Sequence, residues 1–269
     1  MNTTRKSLII SILILLSSVA CQIGNVTLEN VSLFRTPGEI IQETRSIEDV
    51  DGISLATQGD MIIKIGQQES LVIEAEDNII ENIETRVENG VLMIKSRNNL
   101  GLRNLEPINY TLTVKALDTI NISSSGNIQA PDLQADQFDI NLSSSGDLNM
   151  GDLETETLTI KLSSSGNLSM GMLDAKTLKV SITSSGDVDI LGGDIKHQDI
   201  SISSSGKYAA RDMNSQTAEV ALSSSGSATL KVSDQLSANI SSSGDLNYIG
   251  TPVLNASTSS SGRINQIQE

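Results

Sequence analysis

The sequence predicts an all-β chain wound as a single-stranded parallel β-helix with about 20 residues per turn. Three observations carry that expectation. The word Ser123-Ser124-Ser125-Gly126 recurs with its glycine at Gly146, Gly166, Gly186, Gly206, Gly226, Gly244 and Gly262, in five steps of 20 residues and two of 18, with Thr183 in place of the first serine in one copy. A fixed period of this length decides the architecture. Around each glycine the apolar residues fall on alternate positions, as a strand with one buried face requires. The composition has no tryptophan, two phenylalanines and one cysteine among 269 residues, which suits short strands packed through aliphatic side chains.

The columns run as follows. Six residues before the glycine stand Ile120, Ile140, Ile160, Val180, Ile200, Val220, Ala238 and Ala256, and four before it Ile122, Leu142, Leu162, Ile182, Ile202, Leu222, Ile240 and Thr258. Two after it stand Ile128, Leu148, Leu168, Val188, Tyr208, Ala228, Leu246 and Ile264. The same parity turns the middle serine and the glycine of each word inward and the first and third serines outward, which marks a corner. Seven residues after the glycine, Leu133, Leu153, Leu173 and Met213 open a further short face. A unit this small cannot bury its apolar face alone, so successive turns must stack on identical columns. A propeller blade needs about 40 residues, and leucine-rich or calcium-binding nonapeptide repeats need words that are absent. The 20-residue turns and the lack of a hexad predict the right-handed form over a left-handed hexapeptide helix.

At the N-terminus, Arg5 and Lys6 precede an uncharged apolar stretch from Leu8 to Ala20. It is too short for a membrane span and has the layout of a signal peptide, residues 1–20. Cys21, the only cysteine, follows directly and reads as the lipid-attachment residue of a bacterial lipoprotein. Leu is missing three residues before it, but the small Ser18, Val19 and Ala20 suit the cleaving peptidase. Residues 21–44, with Pro37 and Gly38, read as a tether from the membrane to the domain. Residues 45–115 alternate in polarity, and Asn89-Gly90 between Val87 and Val91 reads as a tight hairpin turn. These are expected to be irregular first turns that cap the helix, ahead of the SSSG repeats over 116–269.

Val50-Asp51-Gly52-Ile53, Gly59-Asp60-Met61-Ile62-Ile63-Lys64-Ile65, the Leu71-to-Ala75 strand, the Val87-to-Ile94 hairpin and the SSSG words together resemble the bacterial head GIN domain family of autotransporter-type adhesins. The resemblance covers residues 45–269 and is specific for fold. Val50 stands where an aromatic residue is expected, a departure that touches packing. The resemblance implies a β-helical domain on an exported, often lipid-anchored envelope protein, and it brings no catalytic residues.

The chain carries 33 acidic against 18 basic residues, which argues against nucleic acid as a partner. The serine words lack a catalytic base, because the only histidine, His197, could serve one word of eight. Asp147, Asp187 and Asp245, with Asn127 and Asn167, form one column after the glycine that could hold calcium or carbohydrate. Lys207, Ser227 and Arg263 interrupt it. The outward serines form a flat hydroxyl array, in composition closer to a solvated surface than to an ice-binding threonine array. The expectation is a non-enzymatic cell-envelope lipoprotein of the periplasm or cell surface, in an outer-membrane setting, with no cofactor. It would hold the membrane through its lipid and bind glycans or envelope proteins through residues that the sequence does not single out. An end-to-end homodimer is a further expected partner. The competing readings are a regulatory accessory domain for envelope stress and a carbohydrate-active enzyme.

Overall fold

The repeats stack as coils about 20 residues apart, in a β-solenoid. The structure, a computed structural model, describes residues 38–97 and 106–268. The expected leader, Cys21 and the tether as far as Pro37 lie outside the described residues.

Three faces make each of the early coils. The first face consists of β8 (Thr119–Ile122) and the C-terminal parts of β10 (Leu133–Leu142), β12 (Leu153–Leu162), β13 (Leu168–Ile182), β14 (Asp187–Ile202) and β16 (Met213–Leu222), followed by β18 (Gln235–Ile240) and β20 (Val253–Thr258). Neighbours pair in parallel, so Ile120, Ile140, Ile160, Val180, Ile200, Val220, Ala238 and Ala256 lie side by side in the order the repeat requires. The second face runs through β9 (Asn127–Ala130), β11 (Leu148–Met150), the starts of β13 and β14, β15 (Lys207–Ala210), β17 (Ser227–Lys231), β19 (Asp245–Ile249) and β21 (Arg263–Gln266). The third is short, from Leu133–Ala135 to Met213–Ser215. The columns read from the sequence are buried in every coil but the last.

After Ser215 the third face stops. Ser233 N donates to Ser215 O and Asp234 N to Gln216 O, both at 2.9 Å. The two 18-residue turns thereby close through a corner where the 20-residue turns had a strand.

The glycine of each word is fixed by stacking. A β-carbon on Gly146 would lie 2.2 Å from Gly126 O, and one on Gly166 2.3 Å from Gly146 O. The corner itself differs from the expectation at its middle serine. Ser124 through Ser204 are half-buried, and in the last three words the residue is exposed, with φ of 65° at Ser224, 62° at Ser242 and 59° at Ser260. The corner bond shifts with it. Gly166 N donates to Ser144 O in the early coils, whereas Ser243 N donates to Ser224 O in the late ones.

The N-terminal region stacks on the first coil by a route that chain order does not suggest. β2 (Gly52–Ala56) and β3 (Asp60–Ile65) form a coil beneath β8 and β9. β6 (Val91–Ser96) and β7 (Asn109–Val114) stack on the far side of that coil, although they follow it in sequence. Beyond them, β5 (Ile83–Glu88) pairs antiparallel with β6, β4 (Ser70–Glu76) antiparallel with β7, and β1 (Ile40–Ser46) antiparallel with β4. The Asn89-Gly90 turn joins β5 to β6 with φ of 51° and 79°, both positive as a type I′ hairpin demands. β1 starts at Ile40, inside the stretch expected to be tether. Arg45 on β1 closes the cap, its Nη1 donating to Ile83 O at 2.7 Å and to Thr85 Oγ1 at 3.1 Å. Glu76, buried before the single helical turn α1 (Asp77–Ile80), accepts from Gly38 N at 3.0 Å and Glu106 N at 3.3 Å.

Candidate interaction surface

The residue types with chemical potential are used first to hold the coils together. In the serine words, hydroxyls reach carbonyls of the coil beneath, as Ser241 Oγ does to Leu222 O at 3.4 Å and Ser124 Oγ does to Thr57 O. His197 Nδ1 stands 2.9 Å from Thr217 Oγ1, its neighbour one coil along. No serine of a word is its partner there.

The Asn and Asp column forms a ladder of side chain to backbone bonds. Asp147 N donates to Asn127 Oδ1 at 3.0 Å, Asn167 N to Asp147 Oδ1 at 2.8 Å, Asp187 N to Asn167 Oδ1 at 3.1 Å, and Lys207 N to Asp187 Oδ1 at 3.0 Å. One side-chain oxygen of each of Asn127, Asp147, Asn167 and Asp187 thus accepts an amide proton of the next coil. At the far end Arg263 grips Asp245 through Nε at 2.6 Å and Nη2 at 2.8 Å. Those bonds hold the Asp245 carboxyl below and the Arg263 guanidinium above their ordinary pKa values. A second ladder, which sequence reasoning missed, runs along the corner before the third face. Asp152 N donates to Asp132 Oδ1 at 2.9 Å and Met172 N to Asp152 Oδ1 at 2.7 Å, and two residues further along, on the third face itself, Asp194 N donates to Asp174 Oδ1 at 3.1 Å. Among the described residues no three His, Cys, Asp or Glu side chains gather as a metal would require.

A buried polar group was also missed. Gln198 is fully buried, accepts from Tyr208 Oη at 2.9 Å and donates to Ser215 Oγ at 2.7 Å, and Ser215 Oγ donates to Lys231 O at 2.7 Å. Its signal was available in sequence. Gln198 interrupts the apolar column Phe138, Leu158, Leu178, Ala218 and Leu236.

What remains for interaction is the outward surface, and its faces differ. The second face presents Gln129, Asn149, Ser169, Asp189, Ala209, Thr229, Asn247 and Asn265 in one register. Neighbouring strands set them about 4.8 Å apart. The third face instead stacks Gln134, Glu154, Asp174, Asp194 and Asn214. It forms an acidic cleft in which Lys176 pairs with Glu156. Where that face ends, a cavity of about 390 Å³ opens over Ile195, Ser215 and Val232. Cys21, the expected lipid site, lies outside the described residues.

A stack of aliphatic coils with its polar groups turned into ladders defines a repeat β-solenoid. Residues 49–171 and 151–252 match the family model described as "Putative auto-transporter adhesin, head GIN domain", and the chain belongs to that family. Solved structures agree in fold. A putative lipid binding protein from Parabacteroides distasonis superposes with a TM-score of 0.71 at 24% identity, over 86% of this chain and 97% of that one. A putative adhesin from Parabacteroides merdae gives 0.75 at 19% identity over 86% and 97%. A putative adhesin from Bacteroides fragilis gives 0.65 at 21% over 85% and 97%. No curated protein matches the chain.

Proposed function

We propose that this chain is a non-enzymatic adhesion module of the bacterial cell envelope, anchored as a lipoprotein through Cys21, that binds neutral glycan through its second face. The carrying observation is the in-register column from Gln129 to Asn265, whose amides and hydroxyls point outward on both sides of Asp189 and Ala209. Amides donate and accept together, which suits the hydroxyls of a sugar chain. A regular spacing lets several weak contacts add along one extended polymer. The acidic third face disfavours anionic polymers and leaves the second face as the adhesive one. Family membership and the likeness to adhesin structures support an exported location.

Glycan-array and envelope-extract binding by the purified protein tests the reading. Binding to neutral glycans is expected, and replacing Asn149 and Asn247 together by alanine should weaken it about thirtyfold, at about 1 kcal/mol per lost bond. Binding to nothing, or binding indifferent to those two residues, sinks the glycan assignment. For the anchor, Cys21→Ser should move the processed protein from the membrane to the soluble fraction. Retention of the variant with membranes, its leader shown to be cleaved, would refute acylation at Cys21.

A further inference from the structure

The point at which the third face stops is also a recess with its own chemistry. On the side of the later coils β16 has a strand beside it only from Thr217 onward. The cavity of about 390 Å³ lies where a further third-face strand would have stacked, between Asn214, Ser215 and Gln216 on one side and Lys231, Val232 and Ser233 on the other. Ala175, Ile195 and Val232 give it an apolar floor. The hydroxyl among them, Ser215 Oγ, accepts from Gln198 and donates to Lys231 O. Its proton is spent, and the floor favours an apolar occupant.

The acidic cleft opens into this cavity, because Ala175 and Asp194 line both. The two form one groove along the stack of coils. One wall is acidic through Glu154, Asp174 and Asp194, whereas the other changes sign from Asp136 and Glu156 to Lys176 and Lys196. Lys176 pairs with Glu156, Asp194 accepts from Asn214 Nδ2 at 2.9 Å, and Lys231 belongs to the lining at the cavity end. The groove therefore runs from a negative end to an end where lysines stand beside an apolar floor.

We propose that this groove, separately from the second face, binds the C-terminal end of an extended basic peptide. The last side chain is apolar and sits over Ile195 and Val232, the terminal carboxylate meets Lys196, and the preceding basic side chains lie beside Asp174, Glu154 and Glu156. From the Glu154 coil to the Asn214 coil is three steps of about 4.8 Å, and an extended chain advances about 3.3 Å per residue, so about four residues span the distance. Other ligand classes use only part of the groove. A polyamine leaves the apolar floor bare, a fatty acid brings no cation to the acidic wall, and a sugar finds no aromatic platform on the floor. A peptide with acidic residues is repelled at the negative end.

The test uses the full chain with Cys21→Ser and the synthetic tetrapeptide lysyl-lysyl-alanyl-leucine with a free carboxyl end, followed by titration calorimetry. Saturable one-to-one binding that weakens with salt is expected. Glycine in place of the peptide's leucine should weaken binding at least tenfold. Lys196→Glu and Glu154→Lys, both at exposed positions, should each weaken it about fivefold while leaving the thermal midpoint in place. Converting the peptide's carboxyl end to an amide should weaken binding to the parent chain and not to the Lys196→Glu variant. No binding at millimolar peptide, equal binding of the glycine peptide, or a carboxyl effect that persists in Lys196→Glu would overturn the inference. Saturable binding of decanoate or of a neutral oligosaccharide, with the peptide left unbound, would overturn it as well.

Discussion

A β-carbon on Gly166 would meet the carbonyl oxygen of Gly146 at 2.3 Å, whereas on Gly244 its nearest neighbours are the side chains of Leu222 and Ile240 at 3.0 and 3.1 Å. Carbonyls in a ladder cannot yield as side chains can. Gly166→Ala should therefore cost about 2 to 3 kcal/mol and Gly244→Ala about 1, read from denaturant midpoints; the reverse order would mean that the word's glycine serves the backbone turn and not the stack. Burial in the aliphatic core raises the pKa of Tyr208 and Tyr110 above the ordinary phenol value. The unfolded chain releases these protons near pH 10 while the folded one keeps them, so their contribution is full below about pH 10 and is lost above it. Stability should decline there by about 1.4 kcal/mol per pH unit for each tyrosine. Tyr208→Phe should halve that slope while lowering stability at neutral pH through the loss of its bond to Gln198, and an unchanged slope would contradict the burial.

The ladders act between elements. Asp147 accepts the backbone amide of the next coil, and its place is taken by asparagine one coil on either side, at Asn127 and Asn167. The ladder needs an oxygen and no charge. Asp147→Asn should be nearly neutral and Asp147→Ala should cost about 1 kcal/mol; equal losses in thermal melts would contradict the ladder. The strands themselves were plain in the sequence, because each inward position recurs in register. One copy of the corner escaped notice. Ile53, Leu55, Gly59 and Met61 keep the spacing of Ile120, Ile122, Gly126 and Ile128 and pair with or stack on them, although Ala56, Thr57 and Gln58 replace the three serines. Spacing, and not the identity of the hydroxyls, is what the coil preserves.

For the whole molecule, the solenoid was legible because every coil repeats the same pairing, while the strand order of the N-terminal region was not, because β6 and β7 reach the first coil across a distance that no local pattern encodes. The conformational change at Ser224, Ser242 and Ser260 was equally hidden, since the same word lies in 20- and 18-residue turns and only the stack above differs. The interaction surface was half legible: the outward parity could be read, but the ladders that occupy the Asn and Asp column depend on the coil-to-coil geometry. That each 20-residue period is one coil underlies all of these assignments. Deleting residues 147–166 from the full chain removes one period, joins Gly146 to Asn167 and brings Leu168 beside Ile128 and Val180 beside Ile140. Deleting residues 147–156 puts every later column half a turn out of place. Thermal melts followed by far-ultraviolet circular dichroism should give a cooperative transition and a retained β signal for the first variant, with a somewhat lower midpoint, and neither for the second. Equal damage from the two deletions would contradict the account.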